Sequence, residues 1–438
     1  MTKLGERVPR EEILADRKAK DRLLRDGFQD ECEEKIDVQR KYIEMPKKKG
    51  KRNNFRIFYS ALSTTLTSFA FGFILTSADF AINAYNQGNF KKLSTLETST
   101  IKAIPAIGAL FGNVIISNLN ANKKKLILGN CILFLFASLF QSILIHSFFP
   151  IFSRLIFGIA IGSTCSVVPL YLGDISPVSM RGIIATAHQL QITLGVLMGY
   201  LFTISFSEKD SKIGFFCFHI FFAAAFILTL FALPGRNKRL LGGKNFFDLI
   251  NNKSSRKSVI MASLFHSMQQ LSGINILIVY ARTLIEESGG DKNLTLYVGL
   301  IQVVCSVIFM MLVDKVGRKP LMFLSISVCF ASLMGIVFLK SKIKFIYLFI
   351  MGFSCGLGPV TWMITSEIFP KDYQSAGNTL SVSMNWIFTF LTIVTVDFLL
   401  KSFGFKMFLF NAATLAAFLF YVKICFTETK GRKAEFQK

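Results

Sequence analysis

A chain of 438 residues with 52% hydrophobic and 18% charged side chains is too apolar for a soluble domain, which carries about a quarter charged residues. The net charge of +23 does not point to nucleic acid, because the basic residues form no aromatic-interleaved stripe and instead flank apolar runs, where lipid and insertion topology account for them. Eight scattered cysteines without a Cys-x-x-Cys pair give no metal motif and read as small buried apolar residues.

Residues 1–56 mix both charge signs, lack a signal-peptide pattern, and end in a basic collar from Lys47 to Arg56. This stretch is expected to be a cytoplasmic segment, solvated and partly disordered. Twelve apolar segments follow, near 57–80, 98–119, 126–146, 150–172, 182–204, 214–233, 258–281, 295–313, 320–340, 345–368, 376–399 and 406–424. Runs of about 20 apolar residues read as transmembrane helices. An even count puts both termini on one face, and loop cations such as Lys123–Lys125, Arg236–Arg239 and Lys315–Lys319 make that face cytoplasmic. The polar stretch 234–257 divides a six-helix half at 57–233 from a second at 258–424, leaving a cytoplasmic tail at 425–438. Asn293-Leu-Thr295 falls in an outer loop and is a candidate glycan acceptor.

Between 154 and 191 lie Arg154, Gly158 and Gly162 at four-residue spacing, then Asp174-Ile-Ser-Pro177, Arg181 and Gln189. An offset of 193 residues places Glu367-Ile-Phe-Pro370 over Asp174-Ile-Ser-Pro177, and Asp314–Lys319 over the loop at Lys123–Lys125. Two parallel six-helix repeats around a midplane site are the arrangement of alternating-access transporters. At Leu312–Pro320 an acid, a turn glycine and two cations meet at one helix junction, suited to ion pairs that break and reform. Gln269, Gln270 and Asn275 place neutral amides in an apolar span, and Gln189 and Asn385 add others. Polar groups at membrane depth must face the bundle or a cavity. Amides both donate and accept, which suits the hydroxyls of a neutral polyol. Gly356-Leu-Gly358-Pro359 loosens the helix before Trp362, whose flat face suits a sugar ring. No phosphate-cradling loop, Ser–His–Asp set or metal spacing is present, so neither an enzyme nor a cofactor is expected.

These motifs resemble the sugar porters of the major facilitator superfamily over about residues 57–432. The resemblance implies an all-α membrane protein with twelve transmembrane helices in two pseudo-symmetric six-helix halves. It implies hexose contacts at Gln189, Gln269, Gln270, Asn275, Trp362 and Asn385, with Gln302 standing where the family has an asparagine. It also implies conformational gating by Arg154, Asp174, Arg181, Asp314, Arg318, Lys319 and Glu367, with Lys125 where a family arginine would lie and Gln374 replacing another. The run Gln270-Leu-Ser272 is similar to that of glucose-preferring members. Proton-linked members carry an Asp after a Phe-Gly-aromatic triplet, whereas this chain reads Phe71-Gly72-Phe73-Ile74. Facilitated diffusion of a hexose across the plasma membrane is therefore expected, with a proton-coupled symporter and a non-transporting sensor as the alternatives. Asp79 reads as a solvated helix-end acid, and Lys102 and His188 as titratable groups without an evident partner. Expected partners are the sugar and the bilayer, not nucleic acid, and a monomer suffices.

Overall fold

The computed structural model describes residues 54–88, 92–119, 121–175, 181–206, 211–232, 246–430 and 436. The expected N-terminal segment (up to residue 53), residues 233–245 of the central stretch, and the side chains of Asp174, Arg181 and Asp314 lie outside them. From Phe55 onward the chain forms one compact unit.

Its helices are α1 Asn54–Thr76, α2 Ala78–Asn86, α3 Thr95–Asn118, α4 Lys123–Gln141, α5 Phe148–Ile175, α6 Arg181–Phe206 and α7 Ser211–Ala232. A short α8 at Phe246–Asn251 precedes α9 Arg256–Leu271, α10 Ile274–Val279, α11 Ala281–Glu287, α12 Thr295–Val316 and α13 Arg318–Phe338. The chain continues through α14 Lys342–Ser354, α15 Leu357–Ile368, α16 Gln374–Phe403 and α17 Phe408–Ile424.

Among the described residues, ten stretches are long and apolar enough to cross a membrane. The twelve expected crossings differ from these for two local reasons. The crossing made by α9, α10 and α11 is interrupted and carries the amides, and α16 and α17 merge through the 3-10 turn Gly404–Met407. The first crossing is bent as well, with α1 and α2 separated at Ser77.

The interruptions have identifiable causes. Gly273 adopts φ +89, a left-handed conformation open to glycine. The Leu271 carbonyl freed there accepts from Asn411 Nδ2 at 2.8 Å and Thr414 Oγ1 at 3.1 Å. A neighbouring helix, α17, thus replaces a hydrogen bond that lipid cannot supply. The expected loosening near Gly356 is a full break between α14 and α15, where Ser325 Oγ accepts from the Leu357 N–H at 2.8 Å.

Packing is closest where α3 crosses α5. Gly108 and Gly112 face Gly158 and Gly162, and a Cβ at Gly158 would stand 2.2 Å from the Pro105 carbonyl oxygen. Without a hydrophobic force between helices in lipid, small residues that let backbones touch hold such crossings together. Beside it, Phe134, Phe157, Phe218 and Phe222 form a buried aromatic core, with Phe134 and Phe222 stacked at 5.6 Å. Other phenylalanines, such as Phe231 and Phe398, lie exposed on spans whose surroundings are lipid.

Candidate functional site

All seven residues expected to contact substrate (Gln189, Gln269, Gln270, Asn275, Gln302, Trp362 and Asn385) line one cavity of about 100 Å³ between the two sets of six crossings. Gln269, Gln270 and Asn275 arrive there because the break at Gly273 splays α9 and α10 around them. Asn385 projects from the middle of the unbroken α16.

The amides of this cavity form one network. Gln270 Nε2 donates to Asn385 Oδ1 at 2.9 Å, Asn385 Nδ2 donates to Gln269 Oε1 at 2.8 Å, and Asn275 Nδ2 donates to Gln270 Oε1 at 2.5 Å. Gln269 Nε2 in turn donates to the Leu357 and Gly358 carbonyls at the start of α15. The break in one crossing thus fixes amides that belong to another. Gln302 Oε1 and Trp386 Nε1 are buried on the same cavity and have no hydrogen-bond partner among the described residues. One is an acceptor and the other a donor, and unpaired buried polar groups of this kind call for a ligand or water. Among the described residues, no carboxylate or ammonium lines the cavity. The chemistry is that of a neutral, hydroxyl-rich ligand.

His266 escaped notice in the sequence. It is wholly buried, its Nε2 lies 3.2 Å from Thr365 Oγ1, its Nδ1 lies 3.3 Å from Asn385 Nδ2, and its ring meets Trp362 edge-on at 5.1 Å. It braces two cavity residues at once. A histidine one helical turn before Gln270 was the available signal.

A wider funnel of about 330 Å³ shares Cys165, His188, Gln189 and Trp362 with the cavity. It runs to the C-terminal ends of α5, α12 and α15 and the N-terminal ends of α6 and α16. It therefore opens toward the bundle end that holds the expected gating loops.

At that end Arg318 binds Glu367 through Nε at 3.0 Å and Nη2 at 2.8 Å, joining α13 to α15. The other Glu367 oxygen accepts from Thr429 Oγ1 at 2.5 Å. Lys319 Nζ donates to the Lys423 carbonyl at 3.1 Å, while Lys125 is exposed at the start of α4. Gln374, which stands where an arginine was expected, donates from Nε2 to the Ser366 carbonyl at 2.8 Å.

Arg154 stands apart from the other residues expected to gate. It was grouped with this loop set, yet it lies 20 residues before Asp174 on α5, about 30 Å along the axis at 1.5 Å per residue. It is 1% exposed and donates to the Ile74 carbonyl at 2.5 Å. Asp79 and Lys102 depart from the expectation of a solvated acid and an unpartnered lysine. Lys102 Nζ lies 3.0 Å from Asp79 Oδ1, and the lysine is buried. His188 also has a partner, Ser68 Oγ at 2.6 Å.

The tail supplies a contact that the sequence reading left without a role. Glu428 accepts from the backbone N–H groups of Arg318 and Lys319, both at 2.9 Å, at the start of α13. Gly317 admits it: its φ is +101, and a Cβ there would stand 2.8 Å from Glu428 Oε2. Burial alone would raise the Glu428 carboxyl, but the N–H groups of Arg318, Lys430, Lys319 and Thr429 outweigh it and hold it below its ordinary value. A carboxyl depressed by docking stabilises the docked tail above its unfolded pKa and loses that contribution as pH falls through the docked value. Glu428→Gln should therefore speed tryptic cleavage after Lys430 in the solubilised protein about two- to fivefold at neutral pH. The difference from wild type should vanish in acid, measured with an acid-tolerant protease.

The family model described as "Sugar (and other) transporter" matches residues 54–238 and 238–438. Hexose transporter 1 of Toxoplasma gondii is 27% identical, over 84% of this chain and 80% of that one. The galactose-proton symporter of Escherichia coli K12 is also 27% identical, over 82% and 88%. The inward open xylose transporter XylE from E. coli superimposes with a TM-score of 0.70 at 19% identity, covering 86% of this chain and 98% of that one. With the major facilitator fold, the family match and the apolar spans in agreement, the chain belongs to the sugar (and other) transporter family, as a multi-pass membrane transporter rather than an enzyme.

Proposed function

We propose that this transporter carries a hexose, with glucose preferred, across the plasma membrane by alternating access, as a passive facilitator with both termini cytoplasmic. The observation that carries the reading is the cavity itself, where seven amide and aromatic side chains converge with no carboxylate or ammonium among the described lining residues. In this reading Gln189, Gln269, Gln270, Asn275, Gln302, Trp362 and Asn385 contact the sugar. Arg318 and Glu367, with Asp174, Arg181, Asp314, Lys319 and Lys125, close the cytoplasmic face. The funnel then makes the described conformation one that is open to the cytoplasm.

Passive transport is favoured at helix α1. Where proton-linked sugar porters resemble one another in carrying an acid, this chain has Ile74, and the buried Arg154 meets only its backbone carbonyl. The symport reading rests on one observation, the pair of the buried Lys102 with the half-buried Asp79, whose carboxylate lies five residues further on. Purified protein in liposomes separates the readings. Saturable uptake of labelled glucose, unaffected by a proton ionophore, is the expected result, with a sugar panel ranking the competitors. Sugar-induced alkalinisation of the external medium, lost in Asp79→Asn, would replace facilitation with symport. Absence of saturable flux would favour a sensor.

A further inference from the structure

Four ionisable side chains gather at the bundle end away from Arg318 and Glu367. Asp79 lies on α2, Lys102 on the first turns of α3, Arg154 near the start of α5 and Asp397 near the end of α16. Chain direction puts all four on one face. Lys102 pairs with Asp79, and its ammonium also stands 4.0 Å from the ring centre of Tyr280, which is 1% exposed. The Tyr280 hydroxyl donates to Asp397 Oδ2 at 2.9 Å, and Ser99 Oγ donates to the same oxygen. Arg154 interacts electrostatically with Asp79, and two of its nitrogens have no hydrogen-bond partner among the described residues. One turn beyond, Lys401 Nζ donates to Thr95 Oγ1 at 3.1 Å.

The distribution of these charges matters. Asp79, Lys102 and Arg154 belong to the first six crossings, whereas Asp397 and Tyr280 belong to the last six. With the halves together, the cations Lys102 and Arg154 face the carboxylates Asp79 and Asp397. When the halves part at this end, the first loses the Asp397 carboxylate and keeps more cations than carboxylates at membrane depth, while Asp397 is left with the exposed Lys401 one turn away on its own helix. Separating buried charges is costly unless water or a counter-ion replaces the partner.

We propose that Asp397 is the outer gate residue, a carboxylate delivered across the interface, and that its contacts with Ser99, Tyr280 and the Lys102 field hold the outer face shut over the sugar cavity. Tyr280 is the positioning residue. It sits at the non-helical joint between α10 and α11, with φ −106 and ψ 17, and relays the Lys102 charge to Asp397. Losing the gate shifts the population toward the outward-open state. A ligand's apparent affinity on each side scales with the fraction of carriers open to that side. The gate is thus readable as an asymmetry of transport.

The proposal rests on the transport reading, so its test carries one arm that does not. Asp397→Asn, Tyr280→Phe and Asp397→Glu are reconstituted in full-length protein, and half-saturation constants for labelled glucose are measured for influx and for efflux. Asp397→Asn should lower the influx-to-efflux ratio about fivefold or more, the lower end of ordinary conformational couplings. Tyr280→Phe should lower it less, and Asp397→Glu should restore it. In parallel, amide hydrogen exchange in lipid nanodiscs should rise in Asp397→Asn at residues 95–102 and 394–403 while α4 and α7 stay protected. An unchanged ratio in both Asp397→Asn and Tyr280→Phe would overturn the gate, as would exchange raised uniformly through all spans. Absence of glucose flux in the wild type would remove the transport reading alone, and the exchange experiment would still decide the gate.

Discussion

Gly158→Leu is expected to leave no folded transporter in the membrane. At that position a Cβ meets the Pro105 carbonyl oxygen at 2.2 Å and the Gly108 Cα at 2.9 Å, both backbone atoms that cannot rotate away. The neighbouring contacts are equally tight: a Cβ at Gly162 would stand 2.0 Å from the Ala109 oxygen, and one at Gly112 2.1 Å from the Ile159 oxygen. A leucine therefore forces α3 and α5 apart along a crossing that carries much of the first half's packing. In lipid no hydrophobic gain compensates, because acyl chains solvate the freed surface as well as a helix does. Overpacking costs about 1–3 kcal/mol in adaptable cores and more where backbone must move. Surface expression and monodispersity in detergent read the effect. Gly129→Leu is the control: nothing lies within 4 Å of a Cβ there, and the change should be silent or slightly stabilising.

Asn385→Leu should raise the half-saturation constant for glucose about 10- to 100-fold. The shape is nearly conserved, but the bonds from Gln270 Nε2 and to Gln269 Oε1 are lost, and the contact with His266 goes with them. Each buried polar group left unpaired costs about 1–3 kcal/mol. Part of that falls on the empty protein, so the melting temperature should drop too. Gln302→Leu separates the two effects. Its Oε1 has no protein partner among the described residues, so this change should weaken glucose binding while leaving the melting temperature of the empty protein unchanged. Tracer uptake against concentration, with thermal melts in the presence and absence of glucose, tests both. A melting drop without any change in the half-saturation constant would remove Asn385 from the sugar site.

The amides of the cavity were legible before any coordinates because lipid allows few alternatives. Gln189, Gln269, Gln270, Asn275 and Asn385 lie in apolar spans, and a polar side chain there has only the bundle interior to face. Their mutual bonds were not legible. Gln270 finds Asn385 across 115 residues, and the choice depends on how α9 is broken and turned. The break itself sits at a glycine that a hydropathy scan cannot tell from the chain's other glycines.

The charged residues show the limit more sharply. Asp79 read as a solvated acid and Lys102 as unpartnered, because sequence gives a residue's depth along its helix but not its azimuth. Their 3.0 Å pair, and the approach of Asp397 from another crossing, come from helix rotation and tilt. Arg154 was grouped for gating with Asp174, and counting helical rise along α5 separates the two. Glu428 lies in the expected tail, but its partner, the N-terminus of α13, is created by the fold.

The sequence by itself determined the membrane solution, the approximate span boundaries and the neutral character of the site. Those follow from transfer free energies and from the rule that backbone polar groups in lipid must be satisfied internally. Tertiary structure alone decided where helices break, which amides bond and which charges meet across the halves. Those depend on packing geometry between segments hundreds of residues apart, for which local sequence carries no periodic signal.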